Sequence, residues 1–222
     1  MKTTIASVYR HLPWLIFYGL LLLPLISWLA IYDFRPPLTA RSVFPLLGVW
    51  AWLVMWTHYL FWWLQTKHKN ITPRSRYDTV SMWLVLVLLL LHPGLLAWNQ
   101  YRQFGLTPPE SFTSYVATDV EVFVGFGSLA LLMFLAYEVI HRLQNAPWVK
   151  RWQGWVSLSQ AIAMTLVFFH GIMIGETVLY GWMMGLWVTL GIALIPLMFL
   201  AVRGSFRQQK TLASAKQSNE LS

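Results

Sequence analysis

Two imidazoles stand where an apolar chain should have none. His92 lies in LVLVLLLLHPGLL and His170 in AMTLVFFHGIMIG, each inside a run long enough to be buried in hydrocarbon. A polar side chain at that depth is costly unless something pairs with it. Imidazole can ligate a metal through one ring nitrogen or pass a proton between two partners. A hydrogen-bonded packing histidine is the plainer alternative for either residue taken singly.

The elements that hold these residues follow from composition. The chain has 222 residues, of which 57% are hydrophobic and only 11% charged. Soluble domains carry about 25% charged residues. Several apolar runs approach the roughly 20 residues that cross a bilayer as a helix, and no ten-residue alternating segments suggest a barrel. The sequence predicts an all-α membrane protein, a six-helix bundle with spans at 14–32, 42–64, 79–98, 117–140, 153–176 and 180–202. Residues 1–203 form this domain, and 204–222 read as a disordered polar tail. The first span is taken as uncleaved. No internal repeat is evident.

Charge sets the expected orientation. Lys2, Arg10, Lys67, Lys69, Arg74, Arg76, Arg142, Lys150, Arg151, Arg203, Arg207, Lys210 and Lys216 fall on one side, thirteen of the 16 basic residues. Arg35, Arg41 and Arg102 remain for the other. The positive-inside rule places both termini in the cytoplasm, so the protein is expected to be multi-pass in a bacterial inner membrane. The net charge of +8 is thus a topology signal and not a nucleic-acid surface. Asp33, Glu110, Asp119, Glu121 and Glu176 give the outer face a mildly acidic balance. Trp14, Trp28, Trp62, Trp63, Trp98, Trp148, Trp152 and Trp155 mark the span ends as an interfacial belt.

With this topology both histidine spans run outward. His92 precedes Trp98 by six residues and His170 precedes Glu176 by six, so each lies about 9 Å from its outer boundary at 1.5 Å rise per residue. Two imidazoles at one level on two helices suit one shared partner. Haem b is the natural one, because its iron takes two axial nitrogens and its ring is flat and largely apolar. Gly94 and Gly171, beside the histidines, are expected to leave room for the ring edge. Pro93 removes a backbone bond from the third span. His58 lies about 10 Å from the opposite face, where the one histidine near its depth is His141, expected at the interface, so packing or a hydrogen bond, to a neighbour or a quinone, is expected. His11, His68 and His141 fall in or near polar segments. Arg102 is the first choice among the three outer arginines for pairing with haem propionates.

The absence of cysteine excludes disulfides, thiolate haem ligands and Cys-ligated clusters. No dinucleotide or Walker motif is present, so electrons would have to come from a separate flavoprotein or from membrane quinol. No metalloprotease or Ser-His-Asp set occurs. Ser157, Ser159 and Gln160 suit helix packing or a quinone contact.

The plan of six spans, LLLLHPGLL on the third and VKRWQGWVSLSQAIAMTLVFFHG entering and forming the fifth, resembles the ferric reductase-like transmembrane domain family over roughly residues 40–200. Within it the closest likeness is to the haem-binding membrane subunit of the periplasmic methionine-sulfoxide reductase system. The resemblance implies a b-type cytochrome with His92 and His170 as axial ligands. It would pass electrons from quinol or a flavoprotein to a periplasmic acceptor, ferric iron or a partner reductase subunit. Relatives often carry a second histidine 13 or 14 residues before the one on the fifth span, but Ser157 and Val156 stand there. Thr79 and Asp78 stand at the matching places on the third. One haem is therefore expected. The rival is a cofactor-free transporter or assembly subunit in which His92 and His170 handle protons or metal ions.

Overall fold

The computed structural model describes residues 2–35, 38–67, 75–143 and 146–220. His68, Lys69 and Arg74 lie outside the described residues, as do the side chains of Lys2, Arg10, His11, Arg76, His141, Trp148 and Lys216. Described residues form α1 (Lys2–Ile31), α2 (Ala40–Lys67), α3 (Ser75–Phe104), the single turn α4 (Glu110–Thr113), a 3-10 turn (Thr118–Val120), α5 (Glu121–Arg142), α6 (Pro147–Ile174), the single turn α7 (Glu176–Leu179) and α8 (Trp182–Glu220), with no strand among them. Six helices are long and apolar enough to cross a membrane. All six expected spans are present, and most run past their expected ends. Glu, Lys, Arg and Gln are good helix formers, so nothing stops a helix where the hydrocarbon ends.

α2 is the centre of the bundle. In its apolar window 72% of residues are buried, against at most 22% in any other. It packs along α3 and against α1 and α8, and reaches α6 and α7. Its sequence WAWLVMWTHY is apolar all round, which suits a helix enclosed by others. The remaining helices turn one stripe inward and leave residues such as Leu22, Val87, Leu132 and Ile195 exposed for lipid.

Tryptophan ties the bundle together. A buried indole N–H needs an acceptor. Trp52, fully buried, donates to the Met164 carbonyl, Trp56 to that of Leu190 and Trp50 to that of Leu21. Trp98, Trp152 and Trp155 are exposed at helix ends as a belt requires. Trp28 departs from that expectation. It is buried and donates to the Ser42 carbonyl at 2.6 Å, joining α1 to α2.

The segment expected to be a disordered tail differs as well. α8 continues through it without a break to Glu220. After Gly204 no glycine or proline interrupts the helix before that residue. The extension docks on the start of α6. Ser205 and Ser157 share a hydroxyl hydrogen bond of 2.7 Å, Gln209 accepts from the Gly154 N–H, and Phe206 meets Trp155 edge to face. Gly154 makes room for this, since a Cβ there would come within 2.4 Å of the Phe206 ring. Gly154→Val is expected to undock the extension at an overpacking cost of about 1–3 kcal/mol. Limited trypsin digestion at Arg207 and Lys210 checks it, with cleavage about tenfold faster than in the parent.

Candidate functional site

An apolar cavity of about 150 Å³ opens between α2, α3, α5 and α6, towards the end of the bundle that carries α4 and α7. His92 from α3 and His170 from α6 both line it. Their ring centroids are 6.3 Å apart and their planes are nearly perpendicular, at 83°. The sequence puts these residues on separate helices at similar depth; the fold brings the two rings together across the cavity, edge to face.

Each ring is anchored in the same way. His92 Nδ1 bonds the Phe44 carbonyl of α2 at 2.6 Å, and His170 Nδ1 bonds the Phe123 carbonyl of α5 at 2.7 Å. A carbonyl only accepts, so Nδ1 carries the proton in both rings. In the neutral ring Nε2 then keeps its lone pair and is available as a ligand. The carbonyls can do this because a helical C=O has a second lone pair beside its intrahelical bond.

The residue four positions after each carbonyl is glycine. A Cβ on Gly48 would lie 2.8 Å from His92 Cε1, and one on Gly127 would lie 2.5 Å from His170 Nδ1. Each imidazole thus rests on a glycine and bonds the carbonyl one turn earlier. The pattern is FPLLG on α2 for His92 and FVGFG on α5 for His170. The α2–α3 and α5–α6 hairpins use one device twice, a local repeat that sequence alone does not distinguish from ordinary span glycines. A recurring FxxxG on the span before each histidine was the available signal.

The other expected glycines divide. Gly171 lines the cavity, where a Cβ would meet Trp187 Cζ2 at 2.6 Å. Gly94 is exposed with nothing within 4 Å of such a Cβ, so it makes no room in the cavity. Pro93 lines the wall within a helix that continues to Phe104. Trp52 and Trp187 also line the cavity, with ring centroids 4.1 Å apart, and the Trp187 indole donates to the Phe168 carbonyl.

At the mouth, Phe112, Tyr115 and Val116 come from the segment joining α3 to α5. The Tyr115 hydroxyl donates to Glu176 Oε1 at 2.6 Å, linking this segment to α7. Burial first, then the hydrogen bond and charge of Glu176, push the Tyr115 phenol above its ordinary value of 10.0. A raised value means the bond is fully present below pH 10 and is lost as alkaline pH ionises the phenol. Tyr115→Phe is expected to loosen residues 105–117 by about 1 kcal/mol or less, seen as faster amide exchange at neutral pH. The difference from the parent should shrink progressively as pH rises above 10.0.

Arg102 is not at the cavity. Its guanidinium lies over the exposed Trp98 ring, 5.8 Å from the centroid. His58 shares a 2.7 Å hydrogen bond with Ser81. A smaller cavity of about 40 Å³ collects His58, Tyr137, Glu138 and Gln160, and it shares Met55, Leu89 and Phe134 with the larger one. Ser159 bonds the Val156 carbonyl within its own helix, while Ser157 is the partner of Ser205.

Among the described residues no group of three or more His, Asp or Glu side chains could hold a metal ion. The histidine pair therefore offers two nitrogens, and any metal between them must bring its other ligands. No protein-family model, curated protein or solved structure matches the chain.

Proposed function

We propose that the protein is a multi-pass membrane cytochrome of the ferric reductase-like class, holding one haem b between His92 and His170. The observation that carries this reading is the pair of Nδ1-anchored imidazoles across an apolar cavity. Two imidazoles on opposite sides of one metal, each bonded at about 2 Å, have ring centres a little over 6 Å apart. The separation of 6.3 Å fits that arrangement. Two ligands, with the rest of the cavity wall mainly apolar, suit a metal that arrives in its own macrocycle. Bound there, haem iron would supply one-electron transfer by cycling between ferric and ferrous states.

The chain's own residues have definable tasks. His92 and His170 offer their Nε2 lone pairs. The Phe44 and Phe123 carbonyls fix ring orientation and increase ligand basicity. Trp52, Phe134, Leu89 and Val167 keep the walls dry, which favours the less charged state of a bound metal. With the termini on the cytoplasmic side, the site faces the periplasmic half and an acceptor there, ferric iron or a partner reductase subunit. Quinol or a flavoprotein is the donor. Quinol within the bilayer is favoured by the small, mainly apolar cavity carrying His58 and Gln160, which adjoins the histidine cavity and shares Met55, Leu89 and Phe134 with it. The cofactor-free alternative leaves both Nε2 lone pairs without an assigned partner.

The test is optical. Protein purified in detergent from haem-replete cells should show a Soret band that shifts and sharpens on dithionite reduction, with about one haem per chain by pyridine haemochromogen assay. A colourless preparation would remove the proposal. Two haems per chain would overturn the single-site reading.

A further inference from the structure

Arg41 continues the face of α2 that lines the cavity. Phe44, Pro45, Gly48 and Trp52 line it, and Arg41 stands one turn beyond them towards the mouth. From the level of Gly48, where the His92 ring rests, to Arg41 is about 10 Å along the helix axis. The Arg41 guanidinium lies over the Tyr115 ring, 6.0 Å from its centroid, and Tyr115 in turn packs edge to face on Phe44 at 5.1 Å. A row of contacts thus leads from Arg41 through Tyr115 and Phe44 to the His92 ring, 5.5 Å from Phe44. Arg41 is exposed and, among the described residues, forms no ion pair with a carboxylate. The nearby carboxylate, Glu176, instead accepts the Tyr115 hydroxyl.

We infer that Arg41, seated on Tyr115 at the cavity mouth, is the charge partner for the carboxylate groups of the ligand held between His92 and His170. This rests on the haem reading above, and it moves the role from Arg102 to Arg41. Guanidinium is suited to it, since its planar fork of N–H donors matches a carboxylate. Tyr115 and its bond to Glu176 hold the platform on which the guanidinium lies.

The experiment compares two porphyrins in apo-protein reconstituted in detergent. Ferric protoporphyrin IX carries two free carboxylates, and its dimethyl ester carries none. The measurement is the rate of porphyrin loss to excess apomyoglobin, with the optical spectrum recorded alongside. The parent should hold the free acid about tenfold longer than the ester. Arg41→Leu should hold both equally, near the ester rate, and keep a two-histidine spectrum. Arg41→Lys should recover part of the difference, and Arg102→Leu should match the parent. If Arg41→Leu still discriminates as the parent does, or if the loss of discrimination follows Arg102→Leu, the inference fails while the haem reading stands. If neither porphyrin gives a two-histidine spectrum in the parent, the haem reading fails and takes this inference with it.

Discussion

His92→Ala and His170→Ala should each lower haem retention by at least about 100-fold. Each substitution removes one of the two nitrogens that the cavity can offer, and among the described residues no third His, Asp or Glu joins the pair to replace it. The folded bundle should survive both changes. Neither imidazole carries its helix; each bonds a carbonyl that already belongs to an α-helical turn of the neighbouring span. Circular dichroism and gel filtration should therefore match the parent while the Soret band is lost or takes a five-coordinate form. Equal loss in both variants is the important result. If only one histidine mattered, the two rings would not be sharing a ligand, and the cavity would need another account.

The second large effect falls on residues that never touch a ligand. Gly127→Ala should reduce haem occupancy about tenfold or more, and Gly48→Ala should act in the same direction. A methyl group at Gly127 would stand 2.5 Å from His170 Nδ1, and one at Gly48 would stand 2.8 Å from His92 Cε1. The ring cannot tolerate that contact, so it must swing away from the carbonyl it bonds. The cost combines an overpacking term of about 1–3 kcal/mol with a lost hydrogen bond of about 1 kcal/mol. Gly125→Ala is the control. It lies two residues from Gly127 on the same helix, yet nothing comes within 4 Å of a Cβ there. It should leave the spectrum unchanged, and alanine's higher helix propensity should raise stability slightly. If all three glycine variants behaved alike, helix propensity would be the cause and the contact with the ring would not.

Much of this protein was legible from residue order alone. Apolar runs of membrane length predicted the six spans, because lipid demands that every backbone group be satisfied inside a helix. Counting residues from span ends placed His92 and His170 at one depth, because helical rise is constant. Distance along the chain favours Arg102, but it says nothing about which side of α3 that residue turns to. Arg102 turns to Trp98, whereas Arg41 continues the lining face of α2. Polarity alone predicts a disordered tail, because it measures solubility and does not see a docking notch such as Gly154.

What the sequence determined by itself was therefore the set of helices and the common level of the two imidazoles. Both depend on local composition and on a fixed rise per residue. Only the tertiary structure decided which faces meet. Whether Gly127 or Gly125 supports a ring depends on rotation about the helix axis, and that angle is set by packing among all six helices. The tautomer at His92 and His170 was decided there as well, because the acceptors come from helices 47 and 48 residues away.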